Sequence, residues 1–213
     1  MKKIVVVILI LSGFKSSAQI GVWSKITAEA NIVKNLELEV NAQARTSEIG
    51  TPFKSFLGEA GLKYDLPKGF SLAAFYRLIA EPDAEKLAAD TYHRFYGELK
   101  YKTKAFEPLR IGYRLRYQQQ FKDDLDGLSL DANYLRNKVE ISTKLSKKIE
   151  PYLSADLFYE TGGDFDQLRY TLGTEYDISK KLVLDLGFQT DDRLNSSKSN
   201  QWRINWGLKF KIN

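Results

Sequence analysis

The sequence predicts an all-β chain, a single antiparallel up-and-down transmembrane β-barrel of 10 to 12 strands. Three observations carry that prediction. Apolar and polar residues alternate in segment after segment, the links between segments run alternately short and long, and a leader suited to export precedes them all.

In the leader, Lys2 and Lys3 precede an apolar run from Ile4 to Leu11, and the small residues Ser16, Ser17 and Ala18 follow. This is the layout of a secretory signal peptide, with cleavage expected after Ala18, so residues 1–18 form the leader and 19–213 the barrel. The run is far shorter than the roughly 20 residues of a spanning helix. Without Lys2, Lys3 and Lys15 the chain keeps 29 basic against 27 acidic residues, a formal charge of +2. No basic face is left over for nucleic acid. The chain has no cysteine and one histidine, His93, which removes disulfides, thiolate sites and a multi-histidine metal site. No cofactor and no metal is expected.

The alternation starts in NLELEVNAQAR (Asn35 to Arg45), where Leu36, Leu38, Val40, Ala42 and Ala44 share one face and Glu37, Glu39, Asn41, Gln43 and Arg45 the other. A strand from about Ser55 to Asp65 sets Phe56, Gly58, Ala60, Leu62 and Tyr64 against Glu59 and Lys63. After the turn DLPKG, Leu72, Ala74, Tyr76 and Leu78 oppose Arg77. TYHRFYGELKY (Thr91 to Tyr101) and PLRIGYRLRYQQQF (Pro108 to Phe121) continue the pattern, the second with Arg110, Arg114, Arg116, Gln118 and Gln120 on its polar face. YLRNKVEISTKL (Tyr134 to Leu145), PYLSADLFYE (Pro151 to Glu160), LRYTLGTEYDI (Leu168 to Ile178), KLVLDLGFQT (Lys181 to Thr190) and QWRINWGLKFKI (Gln201 to Ile212) complete ten strands. Their lengths compare with the 9 to 11 residues of a tilted bilayer-crossing strand.

Short turns (DLPKG, KTKAFE, SKKIE, DISKK) interleave with polar loops expected near 47–54, 81–90, 122–130, 161–166 and 191–199. Short turns at one rim and long loops at the other are the habit of outer-membrane barrels. GVWSKITAEAN (Gly21 to Asn31) also alternates, which makes eleven strands where single-chain bacterial barrels have even numbers. It is expected to thread the lumen, pair in part, or belong with a twelfth strand.

Nine of ten arginines (Arg45, Arg77, Arg94, Arg110, Arg114, Arg116, Arg136, Arg169 and Arg203) fall on polar strand faces, and Arg193 falls in an expected loop. Glu37, Glu39, Glu59, Glu98, Glu140, Asp156, Glu160, Glu175 and Asp185 share those faces, so the polar side reads as a lumen of ion pairs. The apolar side carries aromatics toward strand ends, including Tyr64, Tyr76, Tyr113, Tyr176, Trp202 and Trp206, as an interfacial girdle does. A soluble periplasmic lipocalin-like barrel would instead fold that apolar side inward around a ligand.

The ending NWGLKFKI (Asn205 to Ile212) resembles the C-terminal insertion signal of outer-membrane barrels, with Gly207, Phe210 and Ile212 as its marks, although Asn213 stands where an aromatic residue usually closes it. With the blocks HRFYGELKY, YRLRYQQQF, YLRNKVEIS and RYTLGTEYDI, the chain resembles a family of small Gram-negative outer-membrane barrels known only as a domain of unknown function. The resemblance implies an outer-membrane location, outer-membrane lipid around the barrel and the barrel-assembly machinery as a partner during insertion. It implies no activity.

Three roles fit the residues. The first is a non-enzymatic barrel, structural or a narrow channel for polar solutes, with an Arg/Glu lumen. The second is a lipid-modifying enzyme with His93 as general base, though Phe95 and Leu99 on its face offer no hydroxyl or acid and Thr91 has no carboxylate to orient it. The third is an anion site for a phosphate or sugar acid on the ladder Arg110, Arg114 and Arg116, flanked by Arg94, Arg136, Glu98 and Glu140.

Overall fold

The computed structural model describes residues 20–83, 89–106, 108–194 and 200–212. The expected leader and its cleavage site lie outside these residues, as does the middle of the EPDAEKLAAD loop. Among the described residues eleven strands close one barrel: β1 (Ile20–Val33), β2 (Leu36–Thr46), β3 (Phe53–Asp65), β4 (Phe70–Glu81), β5 (Asp90–Phe106), β6 (Leu109–Asp124), β7 (Gly127–Thr143), β8 (Ile149–Glu160), β9 (Phe165–Ser179), β10 (Leu182–Arg193) and β11 (Gln201–Lys211). Sequential neighbours pair antiparallel, and β1 closes on β11 in parallel.

The segment GVWSKITAEAN is therefore a full strand of the wall. It neither threads the lumen nor waits for a twelfth partner. An odd count leaves the first and last strands running the same way, so the seam is parallel, from Ile20 opposite Trp202 to Glu29 opposite Lys211.

The links after β1, β3, β5, β7 and β9 lie at one rim, called lower here, and those after β2, β4, β6, β8 and β10 at the upper rim. Three boundaries differ from the sequence reading. The expected acidic loop at 122–130 is a tight hairpin, with β6 running to Asp124 and β7 starting at Gly127, whose φ of 108° only glycine adopts freely. β5 runs through most of KTKAFE to Phe106. Asp191 and Arg193, expected in a loop, are the inward residues that end β10.

The barrel's amphipathicity is inverted relative to a soluble protein. Leu172 and Leu153 are 62% and 53% exposed, whereas Glu98 and Asp191 are 4% and 0% exposed. Since the apolar face points away from the enclosed volume, the lipocalin-like arrangement is not the one adopted. Such an outer surface is stable against hydrocarbon and unstable against water.

A few apolar side chains do point inward, among them Leu57, Phe75, Ile79, Tyr96, Phe158 and Val183. Two of the inward rings lie flat on glycine. A Cβ on Gly61 would stand 2.1 Å from Phe75 Cδ1, and one on Gly173 2.4 Å from Tyr152 Cζ. These glycines let aromatic rings press against the wall and narrow the lumen.

Candidate functional site in the barrel lumen

Alternation brings the predicted ladder together on three adjacent strands: Arg94 and Glu98 from β5, Arg110, Arg114 and Arg116 from β6, and Arg136 and Glu140 from β7. Register sets Glu98 opposite Arg116, and Arg116 opposite Arg136. Glu98 accepts from Arg116 Nε at 2.6 Å and lies 2.7 Å from Lys100 Nζ and 3.5 Å from Arg114 Nη1. Arg114 also donates to Asp156 Oδ2 at 2.8 Å, and Arg136 donates to the same oxygen. Arg110 pairs with Glu150 at 3.1 Å, and Glu140 with Lys138 at 2.8 Å. The β6–β7 ladder is thus neutralised by carboxylates of β5 and β8.

A second cluster centres on Asp191, in a segment expected as a loop and found at the end of β10. Asp191 accepts from Arg169 at 2.7 and 3.1 Å and from Arg203 at 2.5 Å. Arg193 pairs with Asp166 at 3.1 Å, and Arg77 with Glu59 at 2.5 Å, where Asn41 also donates at 2.7 Å. Continuing the inward series Asp185, Gly187, Gln189 by two and by four residues is the signal that finds Asp191 and Arg193.

Two arginines stand apart. Arg45 donates to Gln43 Oε1 at 2.9 Å and lies 3.9 Å from the centroid of the Trp23 ring. Its Nε is buried with no hydrogen-bond partner. Arg94 donates through Nε to Gln120 Oε1 at 2.9 Å and through Nη2 to the same oxygen, and Gln120 donates onward to Asp131 at 2.6 Å. Among the described residues no carboxylate pairs with Arg45 or Arg94. Trp23, the aromatic member of the inward series Gly21, Trp23, Lys25, Thr27, was legible only if β1 was accepted as wall.

Three cavities follow one another along the lumen. The upper holds about 910 Å³, the middle about 450 Å³ and the lower about 310 Å³. Trp23, Arg45, Arg77, Arg136 and Arg169 line both the upper and the middle cavity, which places them at the boundary. Among the described residues, eight basic and three acidic ones line the upper cavity, seven of the eight being arginine. The lower has four lysines and four carboxylates.

Of the expected insertion signal, Gly207 faces the lumen beside Lys25, Phe210 faces outward across the seam from Ala28, and Ile212 donates its backbone N–H to Glu29 O at 2.9 Å. His93 sits on the outer face, with Nδ1 2.8 Å from the Tyr76 hydroxyl and Nε2 3.9 Å from Asp123 Oδ2. An acid does therefore approach His93, from β6, which the reading of its own strand missed. The hydroxyl it bonds is a phenol rather than a serine or threonine. Carboxylates of Glu29, Glu37 and Glu39 gather within 4.8 Å of one another at the lower end, but Lys209 and Lys63 neutralise Glu29 and Glu37 at 3.4 and 3.6 Å.

A closed barrel with an apolar exterior and a charged, partly filled lumen is the architecture of small porin-like membrane barrels. Residues 20–203 match the family described as protein of unknown function (DUF2490), and the chain belongs to it. Among solved structures it is similar to a NanC porin, at 14% identity over 92% of this chain and 98% of that chain, with a TM-score of 0.56. That likeness is one of fold. No curated protein matches the sequence.

Proposed function

We propose that this chain is exported by residues 1–18, cleaved after Ala18, and inserted into the outer membrane, where its barrel passes small polar solutes slowly through a charged lumen. The observation that carries this reading is the axial series of charged cavities, about 910, 450 and 310 Å³, running from the upper toward the lower rim. Inward Phe75, Tyr152 and the paired arginines narrow that path, so passage favours small solutes over large ones. The exposed apolar band meets outer-membrane lipid, and Gly207, Phe210 and Ile212 present the insertion signal to the assembly machinery. The reading is non-enzymatic, because the hydroxyl that meets His93 is the Tyr76 phenol rather than a serine or threonine nucleophile.

Two measurements test it. Membrane fractionation with boiled and unboiled gels should find the protein in the outer membrane with heat-shifted mobility. In planar bilayers the purified protein should give conductance steps well below those of a wide porin. A soluble, heat-indifferent protein overturns the location; complete electrical silence, or large stable porin-like steps, overturns the narrow channel.

A further inference from the structure

Guanidinium groups crowded into a confined lumen repel one another unless anions face them. Eight of the ten arginines here meet that condition with carboxylates of the chain itself. Among the described residues no carboxylate does this for Arg45 or Arg94, although both line the upper cavity. Arg169 and Arg203 share the Trp23 ring with Arg45, at 5.4 and 4.7 Å from its centroid, and Arg77 lines the same cavity. Register sets Arg94 directly opposite Arg77.

The geometry around Arg45 is that of a donor held ready. Trp23 stacks on the guanidinium at 3.9 Å, and Gln43 takes one N–H, which fixes the plane while leaving Nε without a partner. Arg94 is tied at one edge by Gln120 Oε1 alone, a neutral acceptor. A carboxylate or phosphate is the ligand whose paired oxygens match such planar forks.

We propose that Arg45 and Arg94, with Trp23 orienting the first, form a seat for a small carboxylate or phosphate anion in the upper cavity. The seat deepens the channel reading by naming the class of solute the lumen selects, and it displaces the anion site from the β6 ladder. Arg110, Arg114 and Arg116 already have their counter-ions, whereas no described carboxylate pairs with Arg45 or Arg94.

The test is calorimetric titration of the purified, detergent-folded protein with inorganic phosphate and with citrate at low salt. Saturable binding is expected, weakened at least about tenfold by Arg45→Gln with Arg94→Gln, and only partly by the corresponding lysine changes, which keep charge but lose the fork. Arg110→Gln should leave binding unchanged. Absence of binding by the unaltered protein, or equal binding by a folded Arg45→Gln/Arg94→Gln protein, overturns the seat. Should the double change prevent folding, Trp23 fluorescence in a Trp202→Phe/Trp206→Phe background supplies the second readout. Emission that ignores both anions refutes the proposal. Binding in detergent is independent of passage, so binding without conductance removes the channel and leaves the seat, while conductance without binding does the reverse.

Discussion

The two ends of the lumen solve the same electrostatic problem differently. At the lower end four lysines face four carboxylates around about 310 Å³; at the upper end seven arginines and one lysine face three carboxylates around about 910 Å³. Lysine is a flexible, strongly hydrated point charge, whereas arginine holds its charge in a plane and hydrates weakly. The lower end is therefore neutral by composition. The upper end is positive by composition and depends on a few shared acids to hold its arginines.

Asp191 is the acid that should expose this difference most. It is fully buried and serves both the half-buried Arg169 and the buried Arg203, so Asp191→Asn leaves both cations short of a counter-ion. Removing one member of a buried ion pair costs about 3–5 kcal/mol. Glu150→Gln at the lower end breaks a pair with Arg110 whose side chains are 26% and 17% exposed, and solvent screening should hold its loss to about 1 kcal/mol or less. Urea unfolding from lipid vesicles measures both, and equal losses would contradict the contrast drawn here.

The lower end has its own point of tension, steric rather than electrostatic. Gly173→Ala would set a Cβ 2.4 Å from the Tyr152 ring and 2.8 Å from Leu186 O, and overpacking of this kind costs about 1–3 kcal/mol. Gly112→Ala, also in an inward position on β6, meets nothing closer than 3.8 Å and should change stability by less than about 0.5 kcal/mol. If both alanines are equally tolerated in the same unfolding assay, Tyr152 is not held against the wall.

How much of this was legible follows from what period two reports. Alternation assigns a face to each residue of a strand, so the inverted exterior, the inward arginines and the ladder of β5 to β7 could be read before any coordinates. It says nothing of which acid meets which base across the lumen. Asp156 reaches two arginines of the ladder from β8, a relation set by register alone. Charge runs predict loops that the strands do not respect: KDDLDG holds a tight hairpin because Gly127 supplies a positive φ, and Asp191 continues its strand because an inward acid is at home beside Arg169. The parity expectation obscured β1, and Trp23 and its hold on Arg45 with it.

Ion selectivity offers a smaller but direct comparison of the ends. With conductance established, the reversal potential across a salt gradient should favour anions, and Arg94→Gln should reduce that preference by a factor of about two because it removes a cation that no described carboxylate pairs. Lys102→Gln, which acts where cations and carboxylates are equal in number, should move it less. Higher ionic strength should shrink both effects, since the Debye length falls to about 3 Å at 1 M salt. An unchanged preference in the Arg94 variant, with Lys102→Gln abolishing it, would place the selective region at the lower end.

The least perturbing test concerns the seam that carries Trp23 into the upper cavity. Val22 on β1 lies opposite Ile204 on β11, and both side chains face outward. Adjacent strands run about 4.8 Å apart, within the Cα separation a disulfide tolerates, and the chain has no cysteine of its own to confuse the result. Val22→Cys with Ile204→Cys should therefore cross-link on mild oxidation and shift mobility on a non-reducing gel, with little effect on the unfolding midpoint. Val22→Cys with Phe188→Cys should not, because Phe188 belongs to β10, on the far side of β11 and roughly twice that spacing away. A twelfth strand between β1 and β11 would hold Val22 and Ile204 equally far apart. Failure of the first pair in folded protein would thus remove the parallel closure, and with it the placement of Trp23 against Arg45 on which the upper end depends.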